Sequence, residues 1–189
     1  MSTFRSRLFV ISGPSGAGKG TLVSLIRQIR PDLGLTISAT TRSPREGEQE
    51  GVNYYFLSDK EFSQRVDNGE FVEWANVHGH KYGTLVSEVR NKLDSGSSLI
   101  LEIDVQGALH VKELFSDAVL IFIAPPSLDE LKRRLIGRGT ESEDAVKLRL
   151  ANAETELSLA QQYDVTIVND NLDVAAQQLA TTIKSYEKN

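Results

Sequence analysis

VISGPSGAGKGTL, residues 10–22, is the stretch that decides the fold, because it links a strand to a helix through a glycine-rich loop. The apolar run before the loop ends at Ile11, and four glycines, one proline and one lysine then fall within eight residues. Gly13 and Lys19 fit the spacing G-x-x-x-x-G-K, which is typical of a loop that binds phosphate. Beyond the loop, apolar residues recur at helical spacing, at Leu22, Leu25, Ile26 and Ile29.

The chemistry of this loop favours an anionic ligand. Glycines allow the backbone to curl so that several N–H groups point at one site, and the helix N-terminus adds partial positive charge. Lys19 supplies a compact cation that can follow phosphate oxygens. The alternative is a glycine-rich turn that binds nothing. The predicted phosphate-binding residues are Gly13, Pro14, Ser15, Gly16, Ala17, Gly18, Lys19, Gly20 and Thr21.

The residue after the lysine bears on how a metal ion would be held. Gly20 stands where serine or threonine usually follows, and the hydroxyl is displaced to Thr21. A direct bond to Mg²⁺ from a hydroxyl at the position after the lysine is therefore not expected. We predict instead that Mg²⁺ contacts the protein through water, near Thr21 and Asp104.

Continuous apolar runs recur along the chain, as expected for strands that are buried on both faces of a parallel sheet. Helical patterns separate most of them, including one that opens with a capping box at Ser127 and Glu130 and one over about 142–161. This alternation predicts an α/β fold with a doubly wound, five-stranded parallel sheet. The predicted strands lie within 7–12, 35–39, 98–104, 118–124 and 164–169.

The length suits a single domain, 1–189, in which two segments interrupt the alternation. Residues 36–90 contain short strand-like pieces and the single tryptophan, which predicts an inserted subdomain with its own small sheet. Residues 137–149 are polar and begin with glycines, which predicts a short mobile lid. The predicted core comprises 1–35, 91–136 and 150–189.

Composition excludes several classes of function. The formal net charge of −5 disfavours binding to polymeric nucleic acid. The chain has no cysteine, so it has neither disulfides nor thiolate metal sites, which suits a cytoplasmic location. Its apolar runs are too short for a signal peptide or a membrane span, so no membrane association is expected.

A second anion-binding element follows the predicted strand 35–39. Arg42 and Arg45 lie three residues apart on a short turn and could hold one phosphate between two guanidinium groups. Taken alone, such arginines are more often solvated surface residues. Tyr54 and Tyr82 either donate hydroxyl groups to the same phosphate or simply pack in the small sheet.

Three carboxylates complete the set of candidates. Glu73 is either a surface carboxylate or an acceptor for the N–H groups on the edge of a base. Glu102 and Asp104 end an apolar strand two positions apart, so they share one face. They fit a role with substrate or metal-bound water beside the loop, or alternatively a capping role at the strand exit.

Six stretches together resemble the guanylate kinase family, in the same order and spacing, over about residues 8–185. The pair TTRSPREGE and EFVEWA, followed by YGT, is far more specific than the glycine-rich loop alone. The stretches are ISGPSGAGKGTL (11–22), ATTRSPREGEQEGVNYYF (39–56), EFVEWANVHGHKYGT (70–84), LEIDVQG (101–107), LKRRLIGRGTE (131–141) and IVND (167–170).

The resemblance implies an enzyme that uses ATP and Mg²⁺ to phosphorylate GMP, and by analogy dGMP, in purine nucleotide metabolism. It makes 36–90 the GMP-binding region and adds Asn169 to the ATP side. The implied GMP-binding residues are Ser38, Arg42, Arg45, Tyr54, Glu73, Tyr82, Thr84, Glu102 and Asp104. The implied catalytic residues are Lys19, Arg42, Arg134, Arg138 and Arg149.

Two other functions fit the same sequence less well. An adenylate or thymidylate kinase would share the glycine-rich loop, but Glu73 and the turn TTRSPREGE (40–48) argue against it. A catalytically silent binding module would be expected to have a degraded loop, whereas Lys19 is present. Whether the protein is a monomer or a homo-oligomer stays open.

Overall fold

The computed structural model describes residues 5–77, 79–137 and 143–188, and they form an α/β fold built on two sheets. The strands are β1 (Leu8–Ser12), β2 (Ser38–Thr40), β3 (Tyr55–Phe56), β4 (Phe71–Val77), β5 (His80–Leu85), β6 (Leu99–Glu102), β7 (Val119–Ala124) and β8 (Val165–Val168). The helices are α1 (Lys19–Ile29), α2 (Asp59–Asp67), α3 (Val86–Asp94), α4 (Val105–Leu114), α5 (Leu128–Gly137), α6 (Glu143–Ser158) and α7 (Leu172–Glu187), with a 3₁₀ turn at Ala160–Gln162.

The main sheet is parallel, with the strand order β6–β1–β7–β8. Its central strands are buried on both faces, which explains their continuous apolar sequences. On one face Ile11 packs with residues of α1 and α7, and on the other Val10 packs with residues of α4. The prediction of an α/β fold with a parallel sheet is confirmed.

The prediction of five strands in this sheet is wrong, since the described residues contribute four. The run 35–39 does not supply the missing strand, because the contact with the main sheet ends at the residue before it. Gly34 forms an isolated parallel bridge with Leu99 of β6, and the chain then leaves the sheet. Ser38–Thr40 pairs instead with β3 and β5. A short apolar run does not reveal which sheet it joins.

The second sheet has the strand order β3–β2–β5–β4 and lies within residues 38–85. Its small core contains Ala39, Phe62, Phe71 and Leu85, and the Phe62 and Phe71 rings stack with centroids 4.3 Å apart. The small sheet expected within 36–90 is therefore present. It stands beside the main sheet, since β4 packs against α4.

Capping residues fix two helix starts. Ser127 Oγ accepts a hydrogen bond from the Glu130 N–H at 3.1 Å at the start of α5, as the sequence predicts. In α2, Ser58 and Glu61 form a complete capping box. Of the predicted lid, 138–142 lie outside the described residues, and 143–149 form the first turns of α6.

Gly13 is the tightest point between the loop and the main sheet, and its replacement by alanine is expected to destabilise the protein. Its φ is +139°, and a Cβ there would lie 2.2 Å from the Ile123 carbonyl oxygen. We expect Gly13→Ala to lower the free energy of unfolding by about 3 kcal/mol, measured by denaturant titration. Gly96→Ala is the control, because Gly96 also has positive φ but no atom within 4 Å of its added Cβ. Equal losses in the two variants would contradict the clash.

Candidate active site

The glycine-rich loop joins β1 to α1 and leaves the first turn of the helix open to a ligand. Gly16 and Gly18 both have a φ of +92°, and Gly18 stands at the N-cap of α1. A glycine cap offers no side chain to the first N–H groups, so they can bind an anion. The Lys19 ammonium donates to the Gly13 and Pro14 carbonyl oxygens at 2.6 and 3.0 Å, so the lysine lies folded over the loop.

Asn169 supports this loop from the end of β8. Its side-chain amide donates to the Ala17 carbonyl oxygen at 2.8 Å, and the residue is 5% exposed. A Cβ on Gly18 would lie 2.4 Å from the same amide nitrogen. The structure therefore shows Asn169 in contact with the backbone of the loop, which the sequence pattern did not reveal.

Two of the three arginines predicted to approach the phosphates, Arg134 of α5 and Arg149 of α6, lie near the loop. Arg149 Nη1 donates to Ser15 Oγ at 2.9 Å. Arg134 Nη2 donates to the Asn169 carbonyl oxygen at 2.9 Å, and its Nε donates to Glu130 Oε1 at 2.8 Å. The third, Arg138, lies outside the described residues.

A row of three polar side chains crosses the second sheet. Thr84 of β5 pairs with Ser38 of β2 on one side and with Glu73 of β4 on the other. Thr84 Oγ1 donates to Glu73 Oε1 at 2.8 Å. A shift in strand register between Phe71 and Glu73 brings Glu73 opposite Thr84. Three predicted residues, distant in sequence, are thus adjacent in space.

Glu73 has an altered acidity because of its surroundings. Burial raises the pKa of its carboxyl, the hydrogen bond from Thr84 opposes this change, and the charge of Asp104 adds to it. The effect of Asp104 is informative, because Asp104 follows β6 of the main sheet. The predicted carboxylates of the two sheets therefore face a common space.

That space is a cleft of about 540 Å³ between the two sheets. It is lined by Glu73 and Trp74 from β4 and by Glu102 and Asp104 at the end of β6. A volume of this size accommodates a small organic ligand. Asp104 is also the N-cap of α4, where its side chain accepts from the Gly107 N–H at 2.7 Å.

Glu102 connects the cleft with the glycine-rich loop. A Cβ on Gly20 would lie 3.7 Å from both oxygens of the Glu102 carboxylate. The absence of a side chain at Gly20 thus leaves Glu102 directly beside the first turn of α1. The loop and the carboxylates of the cleft form one continuous site.

The predicted phosphate-binding turn is held by a residue that the sequence reasoning missed. Glu48 accepts two hydrogen bonds from Arg42 Nη2, at 2.9 and 3.0 Å, and one from the Arg45 N–H at 2.7 Å. The hydrogen bonds from Arg42 and from the Arg45 N–H hold the pKa of Glu48 below its usual range, and burial opposes this shift only in part. Arg42 also lies over the Tyr54 ring, 5.4 Å from the centroid, and Tyr54 packs edge-on against Tyr82. Arg42 and Arg45 of the turn therefore both bind Glu48, and Arg42 in turn contacts the pair Tyr54 and Tyr82.

A second missed residue is Glu156 of α6. Burial raises the pKa of its carboxyl, the Lys19 charge opposes that shift, and the Asp104 charge adds to it. Glu156 therefore stands within electrostatic range of the loop lysine. Neither Glu48 nor Glu156 stands at a spacing that points to phosphate chemistry, although Glu48 lies within the stretch TTRSPREGE that resembles the family.

The site contains oxygen donors suited to a hydrated Mg²⁺. Among the described residues there is no cluster of three or more histidine, aspartate or glutamate side chains that could enclose a metal ion. Glu102 nevertheless stands beside the first turn of α1, which carries Thr21, and Asp104 lies in the same cleft. Mg²⁺ commonly keeps several waters and uses one or two carboxylates together with substrate phosphates, so these donors fit it.

Comparisons with known proteins agree on one family. A family model described as guanylate kinase matches residues 5–186. A guanylate kinase from Streptomyces kasugaensis is 49% identical over 95% of this chain and 88% of its own length, and one from Thermotoga maritima is 44% identical over 96% and 87%. The crystal structure of guanylate kinase from Anaplasma phagocytophilum has a TM-score of 0.69 and 32% identity, covering 100% of this chain and 90% of that one.

Proposed function

The chain belongs to the guanylate kinase family, and we propose that it transfers the γ-phosphoryl group of ATP to GMP, giving ADP and GDP. The observation that carries this proposal is that Glu73, at the end of the row Ser38–Thr84–Glu73, lines one cleft with Glu102 and Asp104, while Glu102 lies beside the first turn of α1. By analogy dGMP is a second substrate, since no residue of the site is required to read the 2′-hydroxyl. The absence of cysteine supports a cytoplasmic location.

The row supplies groups that match guanine. Guanine presents two donors, N1–H and the 2-amino group, and one acceptor, O6. The Glu73 carboxylate accepts from the donors, while the hydroxyl of Ser38 or Thr84 donates to O6. Adenine would leave the half-buried carboxylate without donors, which disfavours its binding. Glu102 and Asp104 complete the base side of the cleft.

Phosphate groups are held at two places. The backbone N–H groups of 13–20 and the Lys19 ammonium hold the phosphates of ATP, with Thr21 and Asn169 on the same side. The GMP phosphate is held by Arg42, Arg45 and the tyrosine hydroxyls of Tyr54 and Tyr82. No general base is required, because a monophosphate oxygen is already anionic near neutral pH.

Arginines of α5 and the lid complete the charge neutralisation. Arg134, Arg138 and Arg149 approach the transferred group and stabilise the negative charge on its equatorial oxygens. Mg²⁺ would be held through water by Thr21 and Asp104, and when bound it neutralises phosphate charge and orients the β- and γ-phosphates. Glu102 is a further oxygen donor near this position.

The subregions divide this work. Residues 1–35, 91–136 and 150–189 form the core that binds ATP, 36–90 bind GMP, and 137–149 act as the lid. Closure of the last two over the core excludes water, which protects ATP from hydrolysis.

A coupled assay of ADP release tests the function. With ATP and Mg²⁺ present, we expect turnover with GMP and dGMP and far less with AMP, dTMP or UMP. A preference for AMP or dTMP would indicate another nucleoside monophosphate kinase. Binding of GMP without any turnover would indicate a silent binding module.

Glu48 gives a more specific prediction, because it orients Arg42 without facing the base. We expect Glu48→Gln to raise KM for GMP about tenfold, since one charge-assisted hydrogen bond to the guanidinium is weakened, and to leave KM for ATP nearly unchanged. Glu46→Gln is the matched control, as Glu46 is exposed two residues away. Steady-state kinetics with each substrate varied in turn provide the measurement. Equal changes in both KM values would contradict this role.

A further inference from the structure

Glu88 is a buried carboxylate at the point where the chain passes from β5 into α3. Glu88 is 6% exposed, and carboxylates are rarely buried to this extent unless they have hydrogen-bonding or charged partners. Its Oε1 accepts from the Ile37 N–H at 3.1 Å, and its Oε2 accepts from the Tyr55 hydroxyl at 2.9 Å. The Lys92 ammonium lies 3.6 Å from Oε1, one helical turn later. Each oxygen of Glu88 thus binds a different segment of the chain.

Both hydrogen-bond donors are next to a residue of the proposed GMP site. Ile37 immediately precedes Ser38, and Tyr55 immediately follows Tyr54. Glu88 itself stands in the first turn of α3, which continues directly from β5. One carboxylate therefore links the residue that precedes β2, a residue of β3 and the β5–α3 junction.

We infer that Glu88 is a positioning residue for GMP binding. Its carboxylate holds β2 and β3 at a fixed place relative to β5, so that Ser38 and Tyr54 meet the substrate in the correct geometry. Its three partners belong to the second sheet, the segment leading into it and α3, and none belongs to the loop 13–19. Loss of Glu88 is therefore expected to affect GMP and not ATP. This inference rests on the proposed function, because it assigns Ser38 and Tyr54 to GMP.

The test uses direct binding as well as turnover. Trp74 is the only tryptophan of the chain and lines the cleft, so its fluorescence reports GMP binding. We expect Glu88→Ala to raise both Kd and KM for GMP about tenfold, because two donors lose their acceptor. KM for ATP is expected to stay within about twofold of the wild type.

A conservative variant separates geometry from charge. In Glu88→Gln the amide oxygen still accepts from the Ile37 N–H, and the amide NH₂ can donate to the Tyr55 hydroxyl oxygen. This variant is expected to bind GMP within about threefold of the wild type. Lys92→Ala, on the same helix, removes only the long ion pair and is expected to leave Kd within about twofold.

The outcomes distinguish this inference from the proposed function. A wild-type chain without GMP turnover would overturn the proposed function. If the wild type turns over GMP, an unchanged Kd for GMP in Glu88→Ala would overturn the role of Glu88 alone. Equal increases in the KM values for GMP and ATP in this variant would also overturn that role. If thermal melts show that Glu88→Ala is unfolded, the Tyr55→Phe variant tests the inference instead. It removes one hydrogen bond, so Kd for GMP is expected to rise about threefold, and an unchanged Kd would refute the inference.

Discussion

Replacement of Lys19 by alanine is expected to lower kcat by about a thousandfold while the affinity for GMP changes by less than about threefold. The lysine lies over the glycine-rich loop, within hydrogen-bond distance of the Gly13 and Pro14 carbonyl oxygens. When ATP is present, the same ammonium can turn to the phosphates and neutralise the charge that grows during transfer. In the proposed site GMP is held by other groups, so its binding is not expected to depend on this cation. Steady-state kinetics and titration of Trp74 fluorescence with GMP measure the two effects.

The control for Lys19 is Lys184→Ala. Lys184 is exposed on α7, outside the proposed lid, so its removal changes net charge by the same amount without touching the loop. We expect near wild-type kinetics for this variant. A parallel loss of turnover and GMP affinity in Lys19→Ala would contradict the separation of the two phosphate sites.

Replacement of Glu73 by glutamine is expected to lower kcat/KM for GMP by about 10³-fold and to reduce the preference for GMP over AMP. In the proposed site the carboxylate accepts from both N–H groups of guanine, whereas an amide would present its own NH₂ to one of these donors. The carboxylate is already held in position by Thr84 at 2.8 Å. Kinetics with GMP and AMP measure the change, and Glu113→Gln, at an exposed position of α4, is the control. Unchanged selectivity would contradict the assignment of Glu73 to the base.

The pH dependence of GMP binding follows from the same residue. Burial raises the pKa of Glu73, so its protonation begins at a higher pH than for an exposed glutamate, whose pKa is about 4.3. Only the ionised form accepts both N–H groups, and the affinity for GMP therefore falls as the pH is lowered through this raised pKa. Because the Thr84 hydrogen bond lowers the pKa, Thr84→Val is expected to move the loss of affinity to higher pH. In Glu73→Gln this limb of the pH profile should disappear.

The parts of the site that are continuous in sequence could be predicted from it. The strand, the loop and the helix at 8–29 form one local unit whose spacing reflects a single chemical task. The N-cap hydrogen bond at Ser127 was predictable for the same reason, since its two partners are three residues apart, although the reciprocal half of the predicted capping box is not seen between these two described residues.

Contacts between distant segments could not be predicted in this way. Asn169 donates to the Ala17 carbonyl oxygen across 152 positions, and no local pattern encodes that pairing. The run 35–39 has a strand-like composition, but its pairing with the second sheet, directly after Gly34 bridges Leu99 of the main sheet, depends on tertiary contacts. Glu48 was missed because its role arises from how the turn folds around Arg42, and not from a spacing.

Because the row Ser38–Thr84–Glu73 crosses β2, β5 and β4, substrate selectivity depends on the number of residues in these strands. Side chains alternate between the two faces of a sheet, so one residue inserted into or deleted from β4 or β5 would reverse the orientation of every side chain beyond it. Thr84 and Glu73 would then no longer project from the same face. In evolution this hairpin can therefore accept point substitutions far more readily than insertions or deletions, whereas loops that do not bear on strand register are free to vary in length.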